Sequence, residues 1–212
     1  KISEGNHYDI TGKYDKALEA YLVAEKVYRE NGDDRGVGIT QMGIGNIYSL
    51  TGRLPEAVRY FKKSWLGLKE SSPVYASWSL NNMATAYNGL GLLDSALYFF
   101  EESLKTKLEQ NDEYGASYSY SDIGTIHYKR GDYELALTYF LMAHDIKAKH
   151  EGVGDESKSI NDRFLGLTYH KLGQNDKALF HLRKSVRESE SSSGAEAMKT
   201  AYKALSELEA DI

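Results

Sequence analysis

The sequence predicts an all-α stack of antiparallel helix pairs, about eleven helices in all, and three observations predict it. A glycine returns at Gly12, Gly52, Gly91, Gly131 and Gly173, spaced by 40, 39, 40 and 42 residues. Each brings the same neighbours. A small residue stands seven places before it (Gly5, Gly45, Ala84, Gly124, Gly166) and an alanine five after (Ala17, Ala57, Ala96, Ala136, Ala178). Nine places after it stands a large ring or aliphatic (Tyr21, Phe61, Phe100, Phe140, Leu182). Proline is confined to Pro55 and Pro73, which suits a chain that is nearly all helix. A register held over five copies marks a repeat array, and such arrays offer extended binding surfaces rather than catalytic pockets.

Each unit divides into two helical patterns around its glycine. In the third, the spacing predicts helices over 75–90 and 93–110. Leu93, Ala96, Leu97, Phe100, Leu104 and Leu108 fall at steps of three and four and form one apolar face. In the helix before them, Trp78, Met83, Ala84 and Tyr87 oppose Asn81, Asn82, Thr85 and Asn88. The glycine ends the first helix in the left-handed conformation that glycine adopts at least cost. Asp15, Glu56, Asp94, Glu134 and Asp176 fall in the first turn of each second helix, where a carboxylate favours the positive end of the helix dipole.

The units are separated by short polar breaks at 30–34, 70–73, 110–113, 151–155 and 189–194, all rich in turn residues. The predicted boundaries are 1–32, 33–72, 73–112, 113–152 and 153–193, followed by a truncated sixth unit, 194–212, holding one helix over about 195–210. The even repetition reads as one domain over residues 1–212. Gly45 or Gly124 is expected to let one backbone approach another, with Ala57 or Ala136 facing it and Phe61, Phe100 and Phe140 filling space beside the next unit. The final helix carries Ala197, Ala201, Ala204, Leu205 and Leu208 without a partner helix, so an uncovered apolar strip is expected there.

Composition narrows the function. A net charge of −5 with both signs interleaved gives no electrostatic support for a nucleic-acid surface. The absence of cysteine excludes disulfides, thiolate catalysis and zinc–thiolate sites. No stretch approaches the roughly 18 apolar residues of a membrane span. The chain begins with Lys1 rather than Met and is read as a fragment or processed form, which leaves cytoplasm and periplasm open.

These residues resemble the tetratricopeptide repeat. The second unit carries its pattern in Gly45, Tyr48, Gly52, Ala57, Phe61 and Ser64, and the first in Gly5, Tyr8, Gly12, Tyr14, Ala17, Tyr21 and Ala24. The fourth has Gly124, Gly131, Tyr133, Ala136, Phe140 and Ala143, with His127 in the aromatic slot. The fifth departs further, with Asn175 and Leu182 in aromatic places. The end of the last helix, Leu205, Ser206 and Leu208, fits a first helix whose turn glycine would follow the chain. The long period is similar to that of kinesin light chains, bacterial peptide-sensing regulators and bacterial sensor regions. The wording of residues 81–100 and 131–140 most resembles the bacterial sensors.

The resemblance implies a right-handed superhelical solenoid whose first helices line a concave groove. Residues three, six, nine, ten and thirteen before each turn glycine would face it, including Asn6, Asp9, Met42, Ser49 and Leu167. The candidate peptide-binding residues among them are Asn46, Trp78, Asn81, Asn82, Thr85, Asn88, Tyr118, Ser121, Asp122, Thr125, Tyr128, Arg163, Phe164 and His170. A side-chain amide both donates and accepts, so asparagines can pair with an extended backbone whatever its sequence. The plain alternative is a solvated helix face. The lysines of the chaperone-binding carboxylate clamp are missing, with Asn6 the sole match.

No catalytic residue, metal ligand set or cofactor motif is found. The histidines (His7, His127, His144, His150, His170, His181) show no i,i+4 pairing; His127 is expected in the core and the others on the surface or in the groove. Gly36-Val37-Gly38 and Gly43-Ile44-Gly45 match neither nucleotide motif. Tyr8, Tyr14, Tyr21, Tyr48, Tyr87, Tyr133 and Tyr169 occupy repeat slots and read as core. The expected function is non-catalytic recognition of a protein or peptide, as the sensor or scaffold part of a larger bacterial signalling or regulatory protein. The alternative is self-association as a homodimer through the open C-terminal edge.

Overall fold

In the computed structural model, which describes residues 2–149, 156–191 and 195–212, the fold is all-α. Eleven helices are described: α1 Ile2–Ile10, α2 Tyr14–Glu30, α3 Asp34–Leu50, α4 Leu54–Leu68, α5 Pro73–Gly89, α6 Leu93–Glu109, α7 Glu113–Arg130, α8 Tyr133–Lys149, α9 Glu156–Lys171, α10 Asn175–Ser191 and α11 Ala195–Asp211. They fall into two units, Lys1–Asn111 and Asp112–Ile212, and within each unit every helix packs on its neighbours in sequence. The predicted break at 151–155, residues 192–194 of the last break, and His150 lie outside the described residues.

All five repeat glycines take the left-handed conformation, with φ between 70° and 86°. At Gly52 the turn is closed by Gly52 N–H donating to Ser49 O at 3.1 Å and Arg53 N–H to Tyr48 O at 2.8 Å, which satisfies carbonyls the helix leaves unpaired. Asn111, with φ 56°, makes the corresponding turn between pairs, and asparagine tolerates that region better than most side chains. α5 starts two residues earlier than predicted because Pro73, in its first turn, supplies a preset φ where no N–H is needed. Asp33 and Asp112 cap α3 and α7, each accepting from a glycine N–H three residues on at 2.8 Å.

The repeat alanines Ala17, Ala57, Ala96, Ala136 and Ala178 are all 0% exposed. The large residues of the motif pack differently from expectation. Their rings lie on the small residue of their own pair: a Cβ added at Gly45 would sit 2.6 Å from Phe61, and one at Gly124 2.8 Å from Phe140. Phe140 also stacks on Phe164 of the next pair, ring centroids 5.3 Å apart, so one ring joins both crossings. A further bond recurs at equivalent places. Ser64 Oγ donates to Gly38 O, Ser103 Oγ to Ser77 O and Ser185 Oγ to Ser159 O, at 2.7–2.9 Å. The small residue that closes the motif is thus a hydroxyl tying second helix to first in three units.

Several core expectations are corrected. Leu108 is half-exposed, while Lys107 beside it is 4% exposed, because the α6 face turns so that the lysine stem lies against α5. Of the repeat tyrosines, Tyr21 and Tyr169 are buried; Tyr8, Tyr14, Tyr48, Tyr87 and Tyr133 are half-buried, with apolar rings packed and polar ends near water. The apolar residues of α11 do not form an open strip. Ala197, Ala201, Ala204 and Leu208 are buried because α11 packs on both α9 and α10. His127 is buried as expected, stacked on Tyr139.

Candidate binding faces

In the first unit, α3 and α5 carry the candidate residues. Asn82 Nδ2 donates to Asn46 Oδ1 at 3.1 Å, joining adjacent first helices. This bond does not use the Asn46 amide hydrogens or the Asn82 carbonyl, one donor group and one acceptor. A hollow of about 240 Å³ gathers Asn46, Asn82 and Thr85 with Asp9, Ser49, Leu50 and Phe61. Asn81 is engaged from below, accepting from Lys107 Nζ at 3.3 Å. Asn88 is half-buried, and Trp78 is 44% exposed with its ring edge-on to Tyr75. The structure therefore brings Asn46, Asn82 and Thr85 to one place and sets Asn81 toward the helix behind.

In the second unit, α7 and α9 carry the rest. Ser121 Oγ donates to Asn161 Oδ1 at 2.9 Å and receives Lys147 Nζ at 3.0 Å. The Lys147 ammonium also lies 5.1 Å from the centre of the Tyr118 ring, a cation–π contact. Thr125 bonds back to Ser121 O, and Asp122 is half-buried. Tyr128 meets Phe164 edge-on at 6.0 Å, and the Arg163 guanidinium sits 4.5 Å over Phe164. Burial pushes the Arg163 pKa down, and its Nε has no hydrogen-bond partner. His170 is occupied by Asn175 at 3.0 Å and Asp211 at 3.4 Å. The Arg163 guanidinium thus lies against Phe164 with its Nε–H not spent on a hydrogen bond.

A second polar cluster in this unit corrects the reading of two histidines. His144 and His181 are neither surface nor groove residues; they are half-buried around Asp162, whose side chain is 1% exposed. Asp162 Oδ1 pairs with His181 Nδ1 at 2.6 Å and Oδ2 receives Lys184 Nζ at 2.9 Å. Burial works to raise the Asp162 pKa, but these bonds hold it below the usual carboxylate range. Burial lowers the His144 pKa. Glu188, 3.6 Å from Lys184, is pushed up to about 7 by burial and by the Asp162 charge. Sequence reading missed this cluster because its members come from three helices and share no local spacing.

The pH consequence is signed. Unfolded Glu188 ionises near 4.5, whereas the folded group holds its proton to about 7, so its contribution to stability falls as pH rises across that window. Glu188→Gln, which cannot ionise, should raise the melting temperature at pH 8 and leave it close to parent at pH 4.5. Thermal unfolding of both proteins at the two pH values checks this; equal shifts at both would show that Glu188 does not carry the proton.

A tetratricopeptide repeat profile matches residues 75–149 and, overlapping, 115–191. The chain is 28% identical over 171 residues to the Arabidopsis thaliana protein kinesin light chain-related 3, covering 77% of this chain and 26% of that protein. It thus spans about a quarter of the length of this curated relative. Among solved structures, BtubC (BKLC) from P. vanneervenii superposes with a TM-score of 0.78 at 21% identity, over 87% of this chain and 76% of the other. The apo quorum sensor NprR from B. thuringiensis gives 0.78 at 17% identity, over 96% and 56%. The Rap conjugation gene regulator of plasmid pLS20, in complex with the Phr* peptide, gives 0.72 at 20%, over 99% and 63%.

Proposed function

The chain belongs to the tetratricopeptide repeat family, and from that premise we propose that it is a non-catalytic module that binds a peptide segment of a protein partner on its first-helix faces. The Asn46–Asn82 pair over its hollow is the observation that carries this reading. Such a donor and acceptor, held on adjacent helices, match the alternating C=O and N–H groups of an extended backbone. The fold shared with a regulator solved with a peptide supports the same class of ligand. Arg163 over Phe164 would favour a ligand with an acidic or carboxyl-terminal group at that place. By the same likeness the chain serves as the sensor or scaffold part of a larger signalling protein.

Peptides selected on the intact chain from a random library provide the test. Replacing Asn82 and Asn88 together by alanine removes two amides, each hydrogen bond contributing about 0.5–1.5 kcal/mol. Affinity for a selected peptide should weaken by about fivefold to a hundredfold, by fluorescence anisotropy, with melting temperature close to parent. Unchanged affinity would move the site off this face. Self-association through the C-terminal edge is the rival reading, although four of the α11 apolar residues that suggested it are buried. Light scattering that gave a dimer mass at every concentration would favour it.

A further inference from the structure

We propose that, on the peptide-binding reading above, the hollow on the first-helix faces of the first unit holds a lysine side chain of the bound peptide, its ammonium set against Asp9. Asp9 lines that hollow together with Ser49, Leu50, Phe61 and Asn82, and none of the described residues lining it is a lysine, arginine or histidine. The repeat does not call for a carboxylate there. Three places before the turn glycine, the five units carry Asp9, Ser49, Asn88, Tyr128 and His170, so the acid is particular to the first. A charge placed where the other units use neutral hydroxyls, an amide or an imidazole points to a ligand of opposite sign.

Within the unit that charge is not answered. The Asp9 side chain has no ion pair or hydrogen bond to another described residue. The Tyr21 hydroxyl, close enough for the Asp9 charge to help raise its pKa, donates to Asn6 Oδ1 at 2.6 Å instead. Burial raises the Asp9 pKa, and no cation offsets that cost. Asp9 also lies in the last turn of α1, and Ser49 and Leu50 end α3, so the negative ends of two helix dipoles border the same hollow. The other lining groups suit an ammonium on an alkyl stem. Lysine offers three donors and no acceptor. The Asp9 carboxylate, the Ser49 hydroxyl and the Asn82 carbonyl, which the bond to Asn46 does not use, are three acceptors brought by three helices. Leu50 and the Phe61 ring give the stem an apolar wall. A guanidinium gains most from a flat two-oxygen fork, whereas a compact ammonium can turn its donors to acceptors on separate helices. An acidic side chain would meet Asp9 with like charge.

Synthetic random peptides with acetylated N-termini, selected in parallel on the intact chain and on Asp9→Asn, test this. Acetylation leaves side chains as the source of any ammonium. Peptides selected on the parent should carry a lysine at one fixed place, and those selected on Asp9→Asn should not. For a parent-selected peptide, exchanging that lysine for norleucine should weaken binding about tenfold or more by fluorescence anisotropy at low ionic strength, the loss of one charge-assisted bond. Asp9→Asn should lose as much with the lysine peptide and nothing further with the norleucine one, the coupling expected of a direct pair. Glu101→Gln, an exposed carboxylate changed on α6, should match the parent. Circular dichroism establishes that each variant is folded. Parent-selected peptides without a lysine, or a norleucine penalty as large on Asp9→Asn as on the parent, would overturn the proposal. Weakened binding to the Asn82 and Asn88 double alanine variant would in that event leave the peptide-binding face standing. A library that yielded no binder would overturn both.

Discussion

Ala136→Glu should unfold the second unit at temperatures where the parent is intact. Ala136 is 0% exposed at the crossing of α7 and α8, with Gly124 and Phe140 packed around it. A glutamate carboxyl starting from that buried Cα must bury a charge or take up a proton. Its added volume also forces the two helices apart. Overpacking alone costs about 1–3 kcal/mol, and an unpaired buried polar group adds several more. The sum approaches the 5–15 kcal/mol that separates folded from unfolded states in a typical domain. Urea unfolding followed by circular dichroism should show the helical signal of this unit lost near zero denaturant. A midpoint equal to that of the parent would mean that Ala136 does not face the crossing.

What was legible in the sequence is what the repeat enforces at every copy. The glycine turns, the buried alanines and the eleven helices follow from backbone conformation and from the volume at a helix crossing, both of which are local or periodic. The direction of individual side chains was less legible. Lys107 buries and Leu108 does not, because a rotation of a fraction of a turn decides which of two neighbours faces α5. The asparagines of the first helices were picked out by position, but not that Asn82 donates a hydrogen bond to Asn46. That bond joins residues 36 apart. The Asp162 cluster was not legible at all. Its sole trace in sequence is a carboxylate in a slot that Leu80 fills elsewhere, and a lone aspartate in a helix reads as surface. α11 was misjudged because a helix lacking its own pair can still be covered by the pair before it.

Phe140→Ala should be the most damaging truncation in the second unit, and the repeat geometry says how to reverse it. The ring is 0% exposed, lies against Gly124 and stacks on Phe164. Removing it leaves a void shared by α7, α8 and α9. The lost transfer energy and the cavity together cost about 3–5 kcal/mol. Phe180→Ala in the same unit should cost little, since Phe180 is 59% exposed. Gly124→Leu would by itself be severe, because even its Cβ would stand 2.8 Å from the Phe140 ring, which is enclosed on all sides. In the Phe140→Ala background the leucine side chain enters the void instead. It also replaces a helix-interior glycine, a change favourable by about 0.5–1 kcal/mol. The double variant should therefore be more stable than either single one, a strongly non-additive result of the kind expected between residues in contact. Denaturant midpoints of the four proteins measure this coupling. Simple addition of the two costs would mean that Gly124 and Phe140 do not share one space, and the assignment of the motif ring to the small residue of its own pair would fall with it.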